Sequence, residues 1–248
     1  MTLEKHRQDW DDLGMVDPLW AILSDSTRKN GTWNTSEFFA TGTREITAMM
    51  EVATRLGRPL QKKSALDFGC GVGRLTRALS IHFQHCCGVD ISQPMIEKAK
   101  EFNKDSPRCE FLLNTQGDLE IFKDESFDLI YTNLVLQHLP SRKIILGYVN
   151  EFIRILKKDG LLIFQLPSAL PLANRIQLRR RLYNILRTLG LNEMYLYRTL
   201  HLWPMRMNFI PEKTICSHIS DRQADLLLTA HDSQESEKLK SRIYYVTK

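Results

Sequence analysis

The chain has 248 residues, 43% of them hydrophobic and 25% charged, with a formal net charge of +5 at pH 7. That composition fits one large folded α/β domain and excludes a disordered or fibrous chain. The five cysteines (Cys70, Cys86, Cys87, Cys109 and Cys216) are odd in number and lack C-x-x-C spacing, which speaks against a disulfide framework and against a zinc site. The charged start "MTLEKHRQDWDDL" has no signal-peptide core, and no apolar run is long enough to span a bilayer. The expectation is a cytoplasmic protein with reduced thiols and no metal.

Residues 1–59 are helical in pattern, with "DPLWAIL" and "REITAMMEVATRLG" reading as helices and Gly57-Arg58-Pro59 ending the second. "SALDFGC" then predicts a buried strand, "GRLTRALSIHF" a helix, "HCCGVDIS" a strand, and "QPMIEKAKEFN" a helix with Pro94 near its start. "CEFLL" and "FDLIYTNLVL" are further strands. "SRKIILGYVNEFIRILKKDG" is a helix stopped by Gly160, and "LLIFQLP" is a fifth strand. Strands that alternate with helices and are apolar on both faces predict a doubly wound, mostly parallel sheet.

After Pro167 the rhythm breaks. "LPLANRIQLRRRLYNILRTLG" places Leu178, Leu182, Ile185, Leu186 and Leu189 on one helical face and arginines on the other, with Gly190 at its end. Residues 168–210 hold seven arginines and one acid, Glu193, so this segment carries +6 and the rest of the chain −1. "PEKTICSHI" resumes the alternation. "ADLLLTAHD" and "SRIYYVTK" are two closing strands, joined by the charged "SQESEKLK" at a distance that suits an antiparallel pair.

The stretch "ALDFGCGVGRLTRAL" bears most directly on function. Gly69, Gly71 and Gly73 let the backbone turn sharply and let a ligand approach with no Cβ in the way. A dinucleotide fingerprint needs its third glycine where Arg74 stands, and the Lys-Ser/Thr of a Walker loop is absent. Asp67 disfavours a bound pyrophosphate and suits an amine or a cation. Asp90, ending the second strand, is placed to accept hydrogen bonds from ribose hydroxyls. The ligand implied is a nucleoside with a cationic, amino-bearing extension.

"LDFGCGVGRLT", "GVDIS", "ESFDLIYTNLVLQHL" and "EFIRILKKDGLLIFQLP", in this order, resemble the successive motifs of the class I, seven-stranded S-adenosylmethionine-dependent methyltransferases, closely over residues 60–168. The resemblance implies a Rossmann-like sheet of order 3-2-1-4-5-7-6 with the last strand antiparallel, and S-adenosyl-L-methionine as donor, leaving as S-adenosyl-L-homocysteine. It implies that Asp67 and the loop of Gly69, Cys70, Gly71 and Gly73 hold the methionine part, that Asp90 takes the ribose, and that Ile91 packs on the adenine. Asp118 and Leu119 would meet the adenine edge, the latter through its amide, and Asn133 and Leu134 would face the methionine end. The pattern departs at Asn114, where many relatives carry an acid soon after the third strand.

Methyl transfer from an activated donor asks the protein mainly for alignment, with a base where the acceptor is a hydroxyl. His138 in "NLVLQHLP" is the candidate base, against the plainer role of bonding backbone or filling the pocket wall. Trp33 and Phe39 in "TWNTSEFFATGTRE" are candidates for a lid over the donor, or for a hydrophobic staple between the first helices and the sheet. The insert is expected to cover the acceptor pocket with its apolar face, with Arg179 and Arg180 meeting an anionic or amphipathic acceptor, RNA, a membrane surface or only solvent. The whole chain then reads as a single methyltransferase domain: N-terminal helical cap 1–59, donor-binding core 60–168, basic cap 169–210, closing helix and strands 211–248. The expected activity is methylation of a small molecule, at oxygen before nitrogen. An RNA methyltransferase and a non-catalytic donor-binding subunit are the rivals, and the sequence sets no oligomeric state.

Overall fold

The computed structural model describes residues 2–232 and 239–248; residues 233–238 of the charged connection "SQESEKLK" lie outside the described residues. Seven strands, β1 (Ser64–Phe68), β2 (His85–Asp90), β3 (Cys109–Leu113), β4 (Phe127–Thr132), β5 (Leu156–Ala169), β6 (Asp225–His231) and β7 (Lys240–Thr247), form one sheet of order β3-β2-β1-β4-β5-β7-β6. The first five pair in parallel, and β7 runs antiparallel to both β5 and β6.

Strand parity builds the two layers of core. Ala65, Leu129, Leu161, Ile163 and Tyr245 point to one face, where they meet α3 (Thr35–Arg55) and α4 (Arg74–Leu79). Their neighbours Leu66, Ile130, Leu162, Phe164 and Tyr244 point to the other, against α6 (Arg142–Ile155) and α10 (Glu212–Ser220). Burying both faces requires strands that read as continuous apolar runs, which they do.

Capping explains most helix starts. Asn34 accepts from the Glu37 amide and starts α3 nine residues before Arg44, so most of "TWNTSEFFATGTRE" is helix. Ser92 caps α5 (Gln93–Phe102), with Pro94 in its first turn, and Ser141 caps α6. The sixth helix does not run on to Gly160. Leu156 turns extended and pairs with Phe127, and Gly160 lies inside β5 beside a register shift. A Cβ there would sit 2.9 Å from the Lys157 carbonyl oxygen and 3.0 Å from that of Asp128. This glycine therefore permits a close backbone approach at a bulge and does not cap a helix.

The N-terminal helices α1 (Leu3–Val16) and α2 (Pro18–Ile22) and the insert cover the carboxyl ends of the strands. The predicted single insert helix is two, α7 (Leu172–Ile176) and α8 (Leu178–Thr188), broken at Gln177, whose φ of 54° is left-handed. A third, α9 (Glu193–Arg198), completes it. Its orientation reverses the expectation: Tyr183 is buried and Arg180 packs inward, while Leu178, Leu182, Ile185 and Leu189 are exposed. The apolar stripe of α8 faces mostly outward: of these four only Leu178 reaches the cavity wall, and Leu186, expected on the same face, packs instead against Tyr183, Leu196 and Leu202. No helix among the described residues is long and apolar enough to cross a membrane.

Candidate functional site

A cavity of about 1340 Å³ opens at the carboxyl ends of β1, β2 and β4, roofed by α2 and the insert. It lies where the strand order reverses between β1 and β4, the position at which open α/β sheets bind ligands. Its floor is the glycine loop. Gly69, Gly71 and Gly73 have φ of 76°, 53° and 82°, a region L side chains resist. Their surroundings differ. Gly69 and Gly71 line the cavity with Cys70, whereas Gly73 does not. A Cβ on Gly73 would lie 2.6 Å from both Asn103 Nδ2 and Phe111 Cε1, so Gly73 is a packing glycine and the ligand role expected for it is corrected. The Cys70 thiol is pushed well up by burial and stays protonated.

Asp90 stands at the cavity edge with its carboxylate already oriented. Oδ2 accepts from the Gly71 amide at 2.8 Å and Oδ1 from the Ser92 amide at 2.9 Å, while burial raises its pKa. Each oxygen keeps a further lone pair for a ligand hydroxyl. Ile91, Asn133 and Leu134 also line the cavity. Leu134 is held at φ 61° with its amide donating to Gln165 Oε1 at 3.2 Å, and Asn133 Nδ2 donates to Glu45 Oε1 at 2.7 Å.

Asp67 is not in the cavity wall. Strand parity turns it to the α4 side, away from Leu66 and Phe68, where it accepts from the Thr76 hydroxyl at 2.7 Å. Burial raises its pKa to about 7. The direct contact with a ligand amine expected of it is therefore corrected: Asp67 braces the strand–helix turn. Asp118 and Leu119 are also outside the wall. Leu119 is fully buried and its amide already donates to Glu151 Oε2 at 2.9 Å, which removes the donor proposed for an adenine nitrogen. Asn114, the residue that departs from the family pattern, is the one that reaches the cavity there; it is fixed by donating to the Asp118 carbonyl at 2.6 Å and accepting from the Gln116 amide at 3.1 Å.

The opposite wall is aromatic and cationic. Trp33 lines it, but Phe39 is buried between Phe38 and Phe102 with the Arg77 guanidinium 4.0 Å over its ring, so Phe39 is core and not lid. Arg179 and Arg180 both line the cavity; the first lies 5.3 Å over Trp203 and the second donates to the Pro204 carbonyl at 3.1 Å. Trp20 is buried there, and its indole N–H has no hydrogen-bond partner among the described residues.

His138 also faces the cavity, packed edge-on against Trp10 at 5.5 Å. Its Nδ1 meets the Arg206 carbonyl, which only accepts, so Nδ1 carries the proton and Nε2 the lone pair. The Gln137 amide donates to that lone pair at 3.2 Å, and burial holds the imidazole pKa below its ordinary value.

Several contributors carry no signal in the sequence. Glu45 of α3 ties together Arg74 at 2.8 Å, the Tyr131 hydroxyl at 2.9 Å and Asn133. Lys29 lies 4.1 Å from the Tyr197 ring and 5.1 Å from that of Trp203, joining the N-terminal segment to the insert. A single acid in an amphipathic helix, or a lysine in a loop, has no spacing to mark it.

Residues 66–164 match the family model described as a methyltransferase domain. Among curated proteins, the chain is similar to the uncharacterized methyltransferase YcgJ of Bacillus subtilis, 35% identical over 97 residues, which are 38% of this chain and 37% of that protein. It is also similar to the ubiquinone biosynthesis O-methyltransferase of Coxiella burnetii, 32% identical over 108 residues, 42% of this chain and 44% of the relative. The matches thus span less than half the length of these relatives. Among solved structures, magnesium protoporphyrin IX methyltransferase of Synechocystis PCC 6803, crystallised with bound SAH, covers 99% of this chain and is itself covered to 99%, at a TM-score of 0.63 and 17% identity, a likeness of fold. The sheet order, the glycine loop and Asp90 thus sit within a stretch, residues 66–164, that is similar to a methyltransferase domain, on the fold of the class I S-adenosylmethionine-dependent methyltransferases.

Proposed function

We propose that the protein transfers a methyl group from S-adenosylmethionine to the oxygen of a small, amphipathic acceptor. The observation that carries this reading is one continuous cavity of about 1340 Å³ with two unlike halves. Pockets for one drug-sized ligand occupy roughly 300–1,000 Å³, so this one has room for a donor and an acceptor together. The donor half fits an amino-nucleoside: two left-handed glycines without Cβ, a carboxylate held by backbone amides, and Ile91 beside it. When bound, the donor supplies an already activated methyl on a sulfonium. Asp90 holds the ribose hydroxyls, Ile91 and Asn114 border the adenine, and Asn133 and Leu134 border the methionine end, with Glu45 fixing the Asn133 amide.

In the acceptor half, the Gln137 amide that donates to His138 Nε2 gives way to the acceptor, and Nε2 then takes the proton of the attacking hydroxyl while Nδ1–H stays on the Arg206 carbonyl. Its lowered pKa keeps it neutral, and hence a base, at physiological pH. Trp10, Trp20 and Trp33 exclude water, and Arg179 and Arg180 attract an anionic group on the acceptor. The Coxiella relative's name, that of an O-methyltransferase, also supports oxygen. Tyr183 and Tyr197 are buried and leave Tyr195 as the one exposed tyrosine of the insert, too few rings for a base-stacking platform, so the small-molecule reading is the better supported. On this reading the N-terminal helices and the insert are two covers over one core, and the chain works as one domain.

Calorimetry with S-adenosylmethionine and S-adenosylhomocysteine, followed by labelled methyl transfer to a panel of amphipathic phenols and carboxylates, tests the proposal. Binding of both nucleosides and transfer to oxygen are expected. Binding of NAD in their place, or donor binding with transfer to no oxygen acceptor, overturns it.

A further inference from the structure

The outward face of α8 has no partner within the described chain. Leu178, Leu182, Ile185 and Leu189 recur at helical spacing along one stripe and are 68%, 47%, 58% and 71% exposed; Leu172 and Ile176 of α7 are exposed as well. Helices of folded domains normally turn such a stripe inward. Here the inward positions are taken by Tyr183, Arg180 and Arg187, and the apolar stripe is left facing out. Arg179 and Arg181 flank it on the two sides, and Arg175 of α7 and Arg198 of α9 are exposed. The only acid of the insert, Glu193, is neutralised by Arg187 at 2.9 Å.

We propose that this face of α8 docks on an anionic lipid surface, with its leucines and isoleucine in the acyl boundary and its arginines among the headgroups. An aliphatic stripe with cationic borders is the pattern of a helix lying in a membrane interface. Charge decides between this and a second copy of the chain: self-association would bring two insert segments of +6 each into contact. An RNA partner would need exposed aromatic rings, and the stripe is aliphatic. Leu178 and Arg179 also line the cavity, so the docked face is continuous with the cavity mouth and an amphipathic molecule leaving the lipid enters there. That last consequence rests on the methyl-transfer reading; the docking does not.

Vesicle flotation tests it, using phosphatidylcholine alone and phosphatidylcholine mixed with phosphatidylglycerol. The full chain is expected to float with the mixed vesicles, more weakly with phosphatidylcholine alone, and less as salt rises. The triple variant Leu182→Gln, Ile185→Gln, Leu189→Gln lies outside the cavity wall. It should keep its melting temperature and donor affinity and lose at least about tenfold in vesicle binding. The pair Arg181→Gln, Arg198→Gln should reduce binding to the anionic vesicles only. No flotation of the wild type, or flotation that the triple variant leaves intact, overturns the proposal. So does a wild-type dimer in sedimentation that the triple variant converts to monomer, since the face would then belong to a second copy.

Discussion

Asp90 holds the glycine loop through the Gly71 amide, and under the proposed function the same carboxylate also accepts from the donor's ribose hydroxyls. Truncation removes both. Asp90→Ala is expected to weaken S-adenosylmethionine binding by about ten- to a hundredfold, the loss of roughly 1.5–3 kcal/mol for hydrogen bonds to a charged group. Calorimetry on the folded variant checks this, and unchanged affinity removes Asp90 from the site. His138 yields a prediction with a sign. Its pKa is lowered, so protonation disables the base only below the ordinary histidine value near 6.5. The acid limb of kcat/KM should therefore fall below that pH, with a flat profile above it until another group titrates. His138→Gln should lower kcat by about 10²–10⁴ and abolish the limb. A change confined to KM would make His138 part of the wall. At this scale the position of Asp90 at the cavity is legible in the sequence because an acid ending a strand points beyond the sheet edge. That of Asp67 is not, because its role turns on strand parity: it faces Thr76, and one residue either way would have faced the cavity side. The engagement of the Leu119 amide is hidden for a similar reason, since its partner Glu151 lies 32 residues away on α6.

Elements separate the glycines that the sequence lists side by side. A Cβ on Gly71 meets only the end of Ile22, a flexible side chain at 2.5 Å, whereas on Gly73 it meets Phe111 and Asn103 in packed interior. Gly71→Val thus keeps the fold at a cost of about 1–2 kcal/mol for a left-handed β-branched residue, and fills the place where a ligand meets the loop. Gly73→Val adds overpacking of about 1–3 kcal/mol to the same strain. Melting curves beside donor titration should show Gly71→Val as a binding defect and Gly73→Val as a stability defect; the reverse pattern refutes the division. The five parallel strands were readable from sequence because burial on both faces leaves a continuous apolar run. The insert was only half readable. Periodicity locates the stripe of α8 but is silent on which side of it the molecule lies. The inward face is set by tertiary contacts of Tyr183 and Arg180, and the break at Gln177 divides what reads as one helix.

The molecule as a whole is a rigid sheet whose ligand end is closed by two segments far apart in sequence, and Lys29 is where they meet. Its ammonium lies over the rings of Tyr197 and Trp203 of the insert and of Trp20 of α2, and donates to the Tyr197 carbonyl at 2.9 Å. Burial lowers its pKa, yet Asp17 works against that shift, and the same acid accepts from the Tyr197 hydroxyl at 2.6 Å and from the Asn30 amide at 2.7 Å. The contact is thus charged and shared by both covers. Lys29→Met keeps length and apolar stem but removes the charge and the donated hydrogen bond. The expected loss is about 1–2 kcal/mol, from a partly desolvated cation–π contact and one hydrogen bond. For a chain of this size that lowers the melting temperature by roughly 2–8 °C. Under the proposed function the donor half is built on the sheet and its loops, so donor affinity should stay within about twofold, roughly 0.4 kcal/mol. The acceptor half is walled by the covers themselves, so acceptor KM should rise as they part. Stopped-flow and steady-state kinetics on the variant separate the two. If donor affinity falls with acceptor KM unchanged, Lys29 braces the donor floor, and the covers are set by the hydrophobic cluster of Phe38, Phe39 and Met95 beneath them.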